Sequence, residues 1–354
     1  MLRSRLTMFL ASLLLASPAL AADAPSFSSR PDSWFATDEA HRTLDNILSW
    51  QGHGPGNIMG WPKAYDATQP RPADGGGIEW EGTATIDNGA TYTELRLLAR
   101  AITLEKDDAR KKILRDAFDK GLDAAFAAQY DNGGWPQRWP KPNNYGSHIT
   151  FNDNAMTRLL QLLKEAGAGS APFAFVDDER KKKAQAAYDK GIDCILKCQI
   201  IAGGKLTGWC AQHDENTLKP ANARAYELAS ISGSEGGEIL SLLMKIEKPD
   251  DRVKKAIDAG AAWFAAAKIT GKRIQNTTTN GQRDRVLVDD PAGILWARFY
   301  DVDTGKPIFC GRDGIKKKSL AEIEQERRAG YAWYGNWGAN VEREYTAWKK
   351  RVNE

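Results

Sequence analysis

The feature that most constrains this chain is a segment that recurs at a nearly constant interval. Asp119-Lys-Gly-Leu-Asp-Ala-Ala-Phe-Ala-Ala-Gln129, Asp189-Lys-Gly-Ile-Asp-Cys-Ile-Leu-Lys-Cys-Gln199 and Asp258-Ala-Gly-Ala-Ala-Trp-Phe-Ala-Ala-Ala-Lys268 are offset by 70 and 69 residues, and a fainter copy, Arg42 to Gln51, ends 78 residues before Gln129. Three of the four run on to a Gly-Trp: Gly60-Trp61, Gly134-Trp135 and Gly208-Trp209. Between the copies lie amphipathic runs to Ile102, Ala166 and Ile246, opened by Ile86-Asp87-Asn88, Phe151-Asn152-Asp153 and Ser232-Gly-Ser234-Glu235. Each repeat is therefore two helices and a long loop. One helical hairpin cannot bury its apolar face alone, so successive pairs must stack, and closing the stack removes its ends. The expected fold is mainly α: an (α/α) toroid of stacked helix pairs with long irregular loops. Ile294 to Tyr300 and Lys306 to Cys310, around Asp303-Thr304-Gly305, add a short β-hairpin near the C-terminus.

Bulk properties act by exclusion. Forty-nine Lys and Arg against 46 Asp and Glu leave a net charge of +3, too balanced for a nucleic-acid-binding tail or a polybasic membrane anchor. The N-terminus reads Met1-Leu-Arg3-Ser-Arg5, then an apolar run from Leu6 to Ala16 and a small-residue site at Ala19-Leu20-Ala21, the layout of a secretory signal peptide. That run is shorter than the roughly 20 apolar residues a bilayer needs. The expected organisation is a signal peptide over 1–21, an N-terminal extension over 22–40 and a single domain over 41–354, exported to the periplasm or secreted, monomeric and without a membrane segment. Cys194, Cys198, Cys210 and Cys310 are read as buried thiols or disulfides, since no His or Cys cluster completes a zinc site.

Asp87, Asn88, Asn152, Asp153, Ser234 and Glu235 fall at equivalent starts of the inner helices. Each could be an N-cap, but a cap needs one such residue, and a carboxylate beside an amide in two copies makes an oxygen-rich rim suited to calcium. Arg298 and Arg312 would share a face of the hairpin if its loop length is odd, which would suit an anionic ligand. The Trp135, Trp139 and Tyr145 loop offers aromatic faces either to a sugar or to the core, and His148 and His213 are read as structural ahead of acid-base groups.

Ile86-Asp87-Asn88, Phe151-Asn152-Asp153, Asn222-Ala-Arg224-Ala-Tyr226-Glu227, Ala297-Arg298-Phe-Tyr300 and Gly311-Arg312-Asp313-Gly314 together resemble the family 10 polysaccharide lyases, which are pectate lyases, from about Asp45 to Trp337. The resemblance implies a helical toroid that cleaves polygalacturonate by calcium-assisted β-elimination. It implies Arg312 as the base that takes the C5 proton, with Asp87 beside the scissile linkage. Asp153 with Asn88 would hold Ca2+, and Arg224 and Arg298 would grip substrate carboxylates, with Trp135 as a stacking platform. Two other readings compete. One is an inverting glycoside hydrolase using Asp87 and Asp153, and the other is a non-catalytic protein that binds acidic glycans.

Overall fold

A computed structural model describes residues 27–52, 59–77 and 82–353; the signal peptide expected over 1–21 lies outside the described residues. The helices in chain order are α1 (Asp38–Ser49), α2 (Tyr92–Leu104), α3 (Asp108–Ala127), α4 (Ala155–Ala168), α5 (Asp178–Cys198), α6 (Glu235–Met244), α7 (Asp251–Ala266), α8 (Gln325–Gly330) and α9 (Trp337–Asn353). Inner helices α2, α4 and α6 pack on outer helices α3, α5 and α7 respectively, neighbours within each layer touch, and α9 covers α6 and α7. This is the stacked helix-pair architecture of an (α/α) toroid. Periodicity explains which helix takes which layer. The inner α4 buries Met156, Leu159, Leu160, Leu162 and Leu163 around most of its circumference, whereas the outer α5 buries one stripe running through Ala184, Tyr188, Ile192 and Ile195.

The recurring motif acquires a physical meaning here. Trp61, Trp135, Trp209 and Trp296 are fully buried, and each donates its indole N–H to a backbone carbonyl: Ile47 at 2.9 Å, Ala125 at 2.8 Å, Ile195 at 2.7 Å and Phe264 at 2.8 Å. The glutamine that closes three of the four copies ties one repeat to the next. Gln51 donates to Ala117 O at 2.7 Å, Gln129 to Ala187 O at 2.9 Å and Gln199 to Ala256 O at 3.0 Å. Each such bond contributes on the order of 1 kcal/mol net. The motif glycines sit at close contacts: a Cβ at Gly121 would lie 2.8 Å from Trp61, at Gly191 2.4 Å from Leu160, and at Gly260 2.8 Å from Leu240. Trp135 is thus a framework residue, and the expectation that it stacks on substrate is corrected, because neither face of its ring reaches solvent.

The tail departs from the expected geometry. The dominant hairpin pairs Ile269–Thr279 with Gln282–Ala297, turned at Asn280 (φ 52°) and Gly281 (φ 76°), a two-residue turn whose left-handed backbone Asn-Gly accommodates best. Phe299–Tyr300 pairs with Ile231–Ser232, and Phe309–Cys310 with Lys316–Lys317; a bridge between Tyr300 and Pro307 is what remains of the expected short hairpin. Arg298 and Arg312 accordingly do not share a strand-paired face. Arg298 is buried and Arg312 is exposed. All four cysteines are free, buried thiols. Phe27, Trp34 and Phe35 join the main core, so residues 27–40 pack onto the toroid. Among the described residues no helix is long and apolar enough to cross a membrane.

Candidate active site

The two ends of the helix pairs start differently. Outer helices are capped by side chains: Asp107, Asp177 and Asp250 accept hydrogen bonds from the backbone N–H of Arg110, Arg180 and Val253 at 2.7, 2.8 and 2.8 Å. At the start of α2, α4 and α6, the cap side chain makes no such bond. The chain enters each inner helix from a two-residue strand, Ala84–Thr85, Ile149–Thr150 or Ile231–Ser232, through a tight turn. In the first two turns Asn88 (φ 52°) and Asp153 (φ 50°) take left-handed backbone. That conformation is uncommon outside glycine, although Asn and Asp tolerate it, and both side chains are left exposed beside the buried Asp87 and Asn152.

These turns converge on one network. Asn152 Nδ2 donates to Asp153 Oδ2 at 3.0 Å and to Asp87 Oδ1 at 3.5 Å, and Lys63 Nζ lies 3.7 Å from Asp87 Oδ2. Burial pushes the Asp87 carboxyl above its ordinary range, the Asp153 charge adds to the rise, and Lys63 and Asn152 only partly offset it. Arg298 Nη2 pairs with Glu235 and lies 3.5 Å from Asp153 Oδ1, and Ser232 donates to the other oxygen of Glu235. Burial disfavours the Arg298 charge, but Glu235, Tyr331 and Asp153 outweigh burial and hold it protonated. Its Nε is buried with no acceptor among the described residues.

Tyr331 joins this network to a second arginine. Its ring lies under Arg298, 4.9 Å from ring centroid to guanidinium carbon, and its hydroxyl donates to Glu227 Oε1 at 2.9 Å. Glu227 in turn receives Arg224, from Nε at 2.8 Å and Nη2 at 2.5 Å. The hydrogen bonds it donates to Glu227 raise Arg224 above its ordinary value. Tyr226 is flanked by Arg224 (5.0 Å) and Arg327 (4.7 Å). Arg312 stands one step outward: its guanidinium donates to Glu326 at 3.0 and 3.2 Å, and hydrogen bonds from Arg327 and then Arg312 bring Glu326 down to about 2. The Arg312 loop lies against the same segment, with Cys310 Sγ donating to Ala225 O at 3.5 Å.

The structure therefore brings Asp87, Asn88, Asp153 and Arg298 together, connects Arg224 to them through Glu227 and Tyr331, leaves Arg312 at the edge and removes Trp135. Glu235, already placed on the rim by the sequence, joins them, and Glu227, Tyr331 and Lys63 are participants beyond the expected set. Glu235 and Glu227 were visible as acidic residues within the repeat and the Arg224 motif, but nothing local marks Tyr331 or Lys63. The oxygen donors of Asp87, Asn88 and Asp153 suit a hard cation, and a buried carboxyl destabilised by a neighbouring carboxylate is where a divalent charge would relieve both. Among the described residues, the one set of three His, Cys, Asp or Glu side chains with ligand atoms within 4.8 Å of each other is His148, Asp214 and Glu215. These groups are already partnered: Glu215 pairs with Lys141 at 2.8 Å and His148 at 3.1 Å, and Asp214 accepts the Thr217 backbone N–H at 2.7 Å. His213 is fully buried, and burial lowers it to about 4; its ring accepts from Cys210 N at 3.0 Å and donates to Leu218 O at 2.8 Å, a structural arrangement.

Comparison with known proteins accords with this geometry. Residues 56–342 match the family model for pectic acid lyase. A solved family 10 polysaccharide lyase from Cellvibrio cellulosa is 33% identical, with a TM-score of 0.75 over 90% of this chain and 96% of its own. An aspartate-to-alanine mutant of the Cellvibrio cellulosa family 10 lyase, in complex with trigalacturonic acid, is 32% identical, with a TM-score of 0.74 over 90% of this chain and 97% of its own. No curated protein matches.

Proposed function

From the premise that this chain belongs to the pectic acid lyase family, and so is a polysaccharide lyase, we propose that it is an exported enzyme that cleaves polygalacturonate by calcium-assisted β-elimination at the inner-helix rim. The observation that carries this reading is Arg298: a guanidinium fixed by Glu235 and Tyr331 at the rim, its Nη2 3.5 Å from Asp153 Oδ1. A substrate carboxylate is an acceptor of the right charge and shape for it.

The proton removed is on C5 of galacturonate, and it is weakly acidic while the C6 carboxylate keeps its full charge. Neutralising that charge lowers the barrier, because electrostatic groups aimed at developing negative charge typically contribute about 10²–10³ in rate. Asp153, Asn88 and Asp87 would hold Ca2+, which when bound withdraws charge from the carboxylate. Arg298 orients the same carboxylate. As the C5–H pair forms the C4–C5 double bond, the C4–O bond breaks, the leaving oxygen takes a proton from water, and the product is a 4,5-unsaturated oligogalacturonate.

Arg312 is the proposed base. A guanidinium has a pKa above about 12, so Arg312 must first leave Glu326 and meet substrate in neutral form, which places the rate optimum well above neutral pH. One observation favours Arg224 as a second assignment: it is linked through Glu227 and Tyr331 to Arg298, whereas Arg312 lies one ion pair farther out. The hydrolase reading leaves Arg298 and Arg312 without a task, and the family to which the chain belongs is one of lyases.

The test is incubation with polygalacturonate at alkaline pH, with calcium or a chelator, following ultraviolet absorbance and reducing ends. The expected result is absorbance that rises with calcium, stops on chelation and vanishes in Arg312→Ala. Reducing ends without absorbance would identify a hydrolase, and binding without cleavage a glycan-binding protein. Loss of turnover in Arg224→Lys at every pH, with Arg312→Lys active, would move the base to Arg224.

A further inference from the structure

We propose a second anion-binding site, apart from the rim, in the cavity between the long hairpin and the segment 301–321. Its ligand is a further stretch of an acidic oligosaccharide chain, so the proposal rests on the polygalacturonate reading above. The cavity holds about 1150 Å³, more than the roughly 300–1,000 Å³ of ordinary small-ligand sites, and so admits more than one sugar. Val286, Leu287 and Tyr334, each half-buried, supply an apolar lining on which the carbon faces of pyranose rings can rest.

Positive charge is in excess around that lining. Arg328 is held by Asp284 at 2.6 Å, Lys317 by Asp313 at 3.1 Å, Lys316 by Asp301 and Lys272 by Asp289. Three further cations on the wall, Arg285, Lys306 and Lys318, have no carboxylate within 4.0 Å among the described residues. Arg285 is fixed by its bonds to Asn276 and Tyr331 O, and Lys306 and Lys318 are exposed. A concave wall with this excess of positive charge over a low-dielectric floor concentrates its field on an incoming polyanion. The cavity also borders the loop of the proposed base. The strands Phe309–Cys310 and Lys316–Lys317 form part of its wall, pair with each other, and carry Arg312 in the loop between them.

The experiment uses the mature enzyme carrying Lys306→Ala with Lys318→Ala, assayed on polygalacturonate and on trigalacturonate. The expected result is a KM for the polymer raised by about threefold to tenfold at low salt, the scale of one or two exposed ion pairs, with kcat and the trimer KM unchanged. Ala321→Trp, which narrows the cavity without altering charge, should raise the polymer KM similarly. Lys182→Ala with Lys183→Ala on α5 removes the same charge elsewhere and should leave it within twofold. An unchanged polymer KM in both cavity variants, or an equal rise in the α5 control, overturns the second site while leaving the rim reading intact. A wild-type enzyme that releases no unsaturated product from either substrate overturns the rim reading, and the second site with it.

Discussion

The outer and inner helices of this toroid begin with the same kinds of residue used in opposite ways. Asp107, Asp177 and Asp250 close the first turns of α3, α5 and α7 with short bonds to backbone N–H groups. Asp87, Asn152 and Asp153 bond to each other and stand near Lys63 and Arg298, while α2 and α4 start without a cap bond. The outer ends stabilise a helix. The inner ends carry left-handed backbone at Asn88 and Asp153 and a buried carboxylate near a second one, and each feature costs stability. Strain and unfavourable charge concentrated on one face of a repeat are what a site looks like, while the Trp and Gln belt supplies the framework that tolerates them.

Substitutions should separate the two regions. Trp135→Ala removes a framework ring and its bond to Ala125 O, and a destabilisation of about 3–5 kcal/mol is expected in denaturant unfolding, with the KM of the surviving folded fraction unchanged. A raised KM with native stability would instead restore Trp135 to the substrate. On the rim, Asp153→Asn should lower kcat/KM by about 10²–10³ with little change in melting temperature. Asp177→Ala should do the reverse, losing about 1 kcal/mol of stability at unchanged turnover.

Smaller effects sharpen the contrast. Tyr331→Phe keeps the ring under Arg298 but loses the bond to Glu227, so steady-state kinetics should show KM raised by a few-fold, about 1 kcal/mol, with kcat nearly retained. Asp87 tests the sign of the rim's cost. Its folded carboxyl is raised above 3.8, so the native state holds that proton more tightly than the unfolded chain does. The stability linked to it is present at low pH and is lost as pH rises through the folded value. Asp87→Asn should therefore melt increasingly above wild type as pH climbs out of the carboxyl range, while losing activity. A variant destabilised at alkaline pH would place Asp87 among the framework residues.

Much of this was legible in the chain because the repeat is local. Asp-Lys-Gly, the closing Gln and the Gly-Trp recur at fixed spacing, and the paired Asp and Asn residues at Asp87-Asn88 and Asn152-Asp153 mark the inner turns. What was not legible depends on long-range contact. An indole in a loop reads the same whether it faces sugar or core, and only packing beneath α3 shows that Trp135 is internal. Arg298 meets Asp153 across 145 residues because Phe299–Tyr300 pairs with Ile231–Ser232, a pairing no local pattern announces. The long hairpin could have been found, since Asn280-Gly281 lies between its strands.

The central claim is that chemistry sits at the inner helix starts and not at the outer ones. It is tested most directly by the initial rate at which Asp153→Asn releases ultraviolet-absorbing product from polygalacturonate at alkaline pH, with calcium present and folding verified by an unchanged melting temperature. The account predicts a rate about 10²–10³ below wild type; a folded Asp153→Asn enzyme working at the wild-type rate would contradict it.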